Sequence, residues 1–249
     1  MASDVRIAFN TRFFDSRKGY YDKGSQTANA IPMYFGIVDD EDRASCIRQI
    51  VNDIRSRGNS ITSGDIGFAY LLRILEAEGY ADVIFDMNSQ SEKPGYGYQL
   101  KEGATSLTES WSALKTASHN HFMLGHLMEW FYAGIGGIRL DEGSVAFRTF
   151  DLRPDIVGDL TYAKVDFKSP LGLISSHWNI RNGKMEYDVT VPIGATAHVW
   201  IPCDNVSSIL ESGRPIEQVT DISVSHPRKG YSILTVGSGN YHFVSPYNK

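Results

Sequence analysis

The 249-residue chain, with 42% apolar, 12% aromatic and 21% charged side chains, has the composition of a folded globular protein rather than a disordered one. Its formal charge of −5, with basic residues scattered rather than clustered, argues against nucleic acid or an anionic membrane as partner. No window approaches the ~18 consecutive apolar residues of a membrane span. The length suits one large domain or two ordinary ones.

The start, Met1-Ala2-Ser3-Asp4, lacks a charged-then-apolar signal pattern, which fits either a cytoplasmic protein or a piece cut from a longer one. The two cysteines, Cys46 and Cys203, match no metal or redox spacing, and Cys46 falls on the apolar side of a predicted helix as a buried thiol. The compartment therefore stays open.

Up to about residue 136 apolar residues recur at helical spacing; beyond it they alternate at spacing two. The first predicted helix covers Asp4 to Phe14 and ends at Lys18-Gly19-Tyr20. Gly24-Ser25-Gln26-Thr27 leads into residues 28–38, uncharged throughout and so expected to be buried on every side, with a bend or break at Pro32. Asp39-Asp40-Glu41-Asp42 opens a helix running to about Arg57, its carboxylates favoured by the helix dipole. Ala44, Ile47, Ile50, Val51 and Ile54 give that helix one apolar stripe, so it lies on a surface.

Ile61-Thr62-Ser63-Gly64-Asp65 precedes another nearly uncharged helix, to about residue 76, and a helix over 80–88 follows Gly79. Residues 93–98 read as a loop, and 120–132 as a third apolar helix. Buried helices thus alternate with more solvated ones in three outer–inner pairs. If the buried helices stand parallel, the polar turns preceding them gather at one end. A ring of inner helices inside a ring of outer ones is an α/α barrel, which closes with about six such pairs; half are here.

The second half reads as an antiparallel β-sandwich. Met185, Tyr187, Val189 and Val191 alternate with polar residues behind the hairpin signal Asn182-Gly183. Ala197, Val199 and Ile201 alternate likewise, and residues 231–236 and 241–244 flank Gly237-Ser238-Gly239-Asn240 as a second hairpin. The expected organisation is therefore a helical region, 1–135, and a β-sandwich, 136–249.

The window richest in reactive groups is Gly103-Ala104-Thr105-Ser106-Leu107-Thr108-Glu109-Ser110-Trp111, followed by Ser118-His119-Asn120-His121. A lone Glu in a loop is usually just solvated. Here small and hydroxyl neighbours leave room for a ligand, Trp111 offers a face for a sugar, and His121 is near, so Glu109 is the candidate acid–base group. Asp65 reads as a helix cap or a substrate-binding carboxylate, and Tyr96 and Tyr98 as a sugar platform or loop filling. His119 and His126 share a helical face, but His121 points about 140° away from His126 and no ligand set is completed, so neither a metal nor another cofactor is expected. Trp178 and Trp200 read as sandwich core.

The motifs Gly24–Ala30, Ile61–Gly67, Gly103–Ser106 with Glu109-Ser110-Trp111, and Ser118–His121 stand in an order that resembles bacterial α-L-rhamnosidases of glycoside hydrolase family 78. Gly134–Ile138 and the Pro-Leu-Gly turn at 170–172 leading to Trp178 resemble it too. The resemblance implies an (α/α)₆ barrel with a C-terminal β-sandwich, and inverting hydrolysis of terminal α-L-rhamnosyl residues. It further implies that Glu109 is the general base and that His121 contacts the sugar. Asp65 would hold hydroxyls, with Trp111 and Tyr96 walling the pocket.

Two departures from the family pattern are Thr108, where many members carry Trp, and Asn59, near a position where many carry His. The general acid lies in the first half of such a barrel, which this chain does not contain. The implied partners are thus a rhamnose-containing glycoside or polysaccharide and that N-terminal half, with a periplasmic or extracellular parent fitting the substrate. The alternatives are a carbohydrate-binding module without hydrolysis, and an exo-glycosidase for another sugar on the same barrel.

Overall fold

The computed structural model describes residues 1–228 and 230–247, the side chains of 226–228 excepted. It divides into two compact units, Met1–Met128 and Glu129–Lys249.

In the first unit, α1 (Ala2–Phe13) contributes no buried residue. A small hairpin that periodicity did not announce follows, β1 (Phe14–Asp15) pairing with β2 (Tyr20–Tyr21). Next, α2 (Gln26–Tyr34) starts where the Ser25 hydroxyl accepts the N–H of Ala28. The ladder continues through Pro32 but stops at Tyr34, short of the expected Val38. Gly36, at φ +62°, lets Ile37 N–H reach the Pro32 carbonyl at 2.9 Å, so backbone turn chemistry rather than the apolar run sets the end. The helix is also less enclosed than expected, since Tyr34 is exposed.

The amphipathic helix α3 (Asp40–Ser56) buries Cys46, Ile47, Ile50 and Ile54, as its stripe predicts. Burial pushes the Cys46 thiol up to about 11 and leaves it inert. The apolar helix α4 (Asp65–Ala77) buries Phe68, Leu71, Leu72, Ile74 and Leu75, and α5 (Ala81–Asn88) follows. Contacts run from α2 to both α3 and α4, and from α4 to α5, so α2 and α4 are the inner pair.

Two expectations fail in the rest of the predicted helical region, 1–135. The stretch taken as loop from residue 93 turns helical at α6 (Tyr96–Lys101). The third inner helix, expected over 120–132, is a broken path: a 3₁₀ turn at Phe122–Leu124, one α turn at α7 (Leu127–Trp130) and a π turn at Phe131–Ile135. Loop hydrogen bonds capture the backbone up to His121, and Phe122 is 84% exposed, so the apolar spacing there does not mark a buried face.

The second unit is a sandwich of two sheets. Its strands are β3 (Ile138–Leu140), β4 (Thr149–Leu152), β5 (Tyr162–Ser169), β6 (Gly172–Arg181), β7 (Lys184–Val191) and β8 (Thr196–Ile201). They continue with β9 (Leu210–Glu211), β10 (Arg214–Pro215), β11 (Ser223–Arg228), β12 (Tyr231–Val236) and β13 (Gly239–Pro246). One sheet runs β10-β9-β13-β7-β6-β5 and the other β11-β12-β8-β4-β3. Only β4 and β8 pair in parallel among the described strands. Phe150, Val199 and Leu234 of one sheet share a core with Trp178, Tyr187 and Phe243 of the other.

Asn182 and Gly183 both adopt positive φ and join β6 to β7 as expected. The second expected hairpin does not form. β12 pairs with β8 and β13 with β7, so Gly237-Ser238 carries the chain from one sheet to the other. Trp178 lies in the core and its indole donates to the Ile135 carbonyl at 2.9 Å, whereas Trp200, though buried, lies outside that core, donating to Asp151 at 2.9 Å under the Arg153 guanidinium.

Candidate active site

The polar turns preceding the inner helices do come together. Gln26, fully buried on the first turn of α2, accepts the backbone N–H groups of Thr62 and Ser63 at 3.0 and 3.3 Å through its side-chain oxygen. Its amide nitrogen donates to the Ser60 carbonyl and to Asp53, both at 3.1 Å. One side chain thus fixes the turn entering α4. On that turn the Ser63 carbonyl accepts the indole N–H of Trp111 at 2.7 Å, which anchors the Glu109 loop from below.

The loop folds back on itself. Glu109 N–H donates to the Ser118 carbonyl at 2.8 Å, and Ser118 N–H donates to a Glu109 carboxylate oxygen at 3.2 Å. His121 N–H reaches the Leu107 carbonyl at 2.9 Å, and the Ser106 hydroxyl donates to the His119 carbonyl. These bonds lay residues 106–109 beside 118–121, so the two motifs form one surface. Thr108, wholly buried, spends its hydroxyl on the Ser110 carbonyl, which makes it a brace under Glu109. The Glu109 side chain itself is exposed.

His121 meets Asp65 at the N-terminal end of α4, Nε2 to Oδ2 at 3.2 Å. The other Asp65 oxygen accepts the Ile66 N–H at 2.8 Å. That backbone bond first, and His121 second, hold the Asp65 carboxyl below its ordinary range. Asp65 therefore serves the helix terminus and the imidazole at once.

Trp111 and Tyr96 are placed differently from the expectation that they wall a pocket. Trp111 is 7% exposed and packs edge-on against Phe68 and Tyr96, with centroids 4.8 and 5.0 Å apart. Tyr96 is partly buried, its hydroxyl spent on the Leu124 carbonyl and its ionisation pushed upward by burial. An indole whose N–H must be satisfied under a loop packs inward, so both rings support the surface rather than form it.

Asn59 is a turn residue at φ +62° whose side chain accepts from Arg55 at 3.1 Å. His119 contacts the Leu114 carbonyl at 3.2 Å, while His126 packs near Phe68. Among the described residues no three His, Cys, Asp or Glu side chains gather as a metal-binding group. The contributor missed from sequence is Gln26; an amide opening an otherwise uncharged buried helix was the available signal.

Two family models match the chain up to residue 214. The bacterial α-L-rhamnosidase six-hairpin glycosidase domain matches residues 1–135. The bacterial α-L-rhamnosidase C-terminal domain matches residues 137–214. An α-L-rhamnosidase of Streptomyces avermitilis is 28% identical over 96% of this chain, and one of Formosa agariphila 25% identical over 98%. The chain spans about a quarter of each relative, 23% and 27%. The crystal structure of the Streptomyces avermitilis enzyme complexed with L-rhamnose superposes with a TM-score of 0.87 over 97% of this chain and 23% of that one. The α-L-rhamnosidase from Dictyoglumus thermophilum gives 0.87 at 28% identity, over 98% of this chain and 28% of that one.

Proposed function

The chain belongs to the bacterial α-L-rhamnosidases, and from that premise we propose that it is the C-terminal part of an inverting glycoside hydrolase acting on terminal α-L-rhamnosyl residues. Residues 1–135 would form the second half of the barrel and 136–249 the sandwich that follows it. The observation that carries the proposal is the convergence of Glu109, His121 and Asp65 on one hydrogen-bonded surface where the turns entering α2 and α4 meet.

In this reading Glu109 deprotonates the attacking water. Ser118 N–H takes one carboxylate oxygen and fixes the plane of the group, while the other has no partner among the described residues. Asp65 fixes the His121 ring, and the pair holds sugar hydroxyls. Trp111, Tyr96 and Thr108 keep the loop rigid from beneath. Inversion requires a second carboxyl roughly 6.5–9.5 Å from the base, with room for water between them. That acid would come from residues outside this chain, so the isolated chain is expected to bind sugar without turning it over.

The test is Glu109→Gln in the longer enzyme, assayed on an aryl rhamnoside. Loss of a general base lowers kcat by about 10²–10⁴-fold, with an unchanged circular dichroism spectrum. Retained activity overturns the assignment. A panel of aryl glycosides separates rhamnose from another sugar as substrate.

A further inference from the structure

The outer face of the six-stranded sheet carries an ordered polar surface that the proposed reaction does not use. Strand register puts Lys164, His177, Asp188 and His242 in one row across four strands, a cation at one end and a carboxylate between two imidazoles. The next row carries Ser175, Thr190 and Asn240 beside Asp166. Two depressions, of about 420 and 350 Å³, share His177 and Asp188 and so form one groove. Each is in the size range of small-ligand sites, about 300–1,000 Å³.

A merely solvated sheet face is dressed with long, mobile side chains. Here, beside Lys164, Arg181 and Glu186, several short groups are already held by hydrogen bonds. Ser175, 7% exposed, donates to Asp166 at 2.6 Å, and Thr190 donates to Asn240 at 2.8 Å. His177 meets Asp166 at 2.9 Å and His242 meets Asp188 at 2.6 Å, each through one ring nitrogen. The second nitrogen of each ring is left to a ligand. Tyr162, at the groove's edge on β5, is 66% exposed and offers an open ring face.

We propose that this groove is a second carbohydrate-binding site, taking a neutral oligosaccharide by hydrogen bonds from the His–Asp rows and by stacking on Tyr162. The chemistry selects the ligand class. The carboxylates of Asp166, Glu186 and Asp188 outnumber the cations of Lys164 and Arg181 and disfavour a polyanion, the polar floor gives an apolar chain nothing to bury against, and fixed donors and acceptors beside an exposed ring suit a polyol. The choice of a rhamnose-containing oligosaccharide rests on the proposed glycosidase function. Such a site would hold a polymeric substrate while the barrel removes its terminal residue.

The experiment titrates the full chain with a neutral rhamnosyl disaccharide at millimolar concentration and follows amide and imidazole resonances. Shifts are expected at His177, Asn240 and His242, with at least ten-fold weaker binding there in Tyr162→Ala and near-normal binding in Tyr162→Phe. Shifts confined to the Glu109 loop overturn the second site and leave the catalytic reading standing. Shifts confined to the sheet support the second site while counting against the Glu109 surface, and no shift at either rejects both. Unchanged sheet binding in Tyr162→Ala overturns the stacking arrangement.

Discussion

Gln26 shows how much of the candidate site hangs on one uncharged side chain. Its amide bonds four partners, and each buried partner orphaned by Gln26→Met costs about 1–3 kcal/mol. Gln26→Glu keeps the acceptor but sets a second carboxylate beside Asp53, which raises its folded pKa above the unfolded value. The folded variant then binds more protons, so its stability falls as pH rises and recovers in acid. Asp65 behaves in the opposite sense. Its carboxyl is held low, so its contribution is complete above the ordinary aspartate range and is lost as pH falls through its own lower value. Urea midpoints across pH should therefore show the Gln26→Glu deficit shrinking at mildly acid pH, and the Asp65→Asn deficit shrinking only in stronger acid. Glu109, His121 and Asp65 were legible because a polar loop rich in hydroxyls is unusual between apolar helices. The inward packing of Trp111 was not, because an indole in such a loop reads equally well as platform or anchor until the partner of its N–H, the Ser63 carbonyl, is seen.

Between elements, the close approach of α2 and α4 depends on Gly67. A Cβ there would lie 2.3 Å from the Thr27 hydroxyl and 2.7 Å from its methyl. By helix propensity alone Gly67→Ala should stabilise by about 1 kcal/mol; overpacking costs about 1–3 kcal/mol. The contact wins, and Gly67→Ala should lower the unfolding midpoint, with Thr27→Ala in the same chain restoring much of the loss. A double-mutant cycle by urea denaturation measures this, and additive effects would reject the clash. The same competition between local and tertiary terms explains which elements periodicity found. The helix α3 was readable from its single apolar stripe, and α4 from a nearly uncharged run that buries Phe68, Leu71, Leu72, Ile74 and Leu75. The third inner helix was misread because hydrogen bonds from 106–109 hold the backbone of 118–121 outside any helical path. Gly237–Asn240 has the residues of a hairpin turn, but local turn chemistry does not record which sheet the next strand joins.

At the scale of the whole molecule, both units leave some large apolar side chains exposed, Ile193 and Val145 in the sandwich among them. The sandwich buries residues of both sheets in one core. The helical unit leaves Val5, Ile7, Phe35, Ile66 and Phe122 between 57% and 84% exposed. Single exposed apolar residues are ordinary, but a half-barrel would add to those of the helical unit the face that its missing hairpins cover. In a six-hairpin barrel the cover would be the remaining hairpins, consistent with a chain that spans about a quarter of its relatives. The isolated chain should therefore self-associate, giving a concentration-dependent mass by light scattering. Replacing Phe122, 84% exposed, with Ser should reduce that association without lowering the unfolding midpoint. A monodisperse monomer at all concentrations would mean that the exposed face needs no cover, and the half-barrel reading would lose its physical basis.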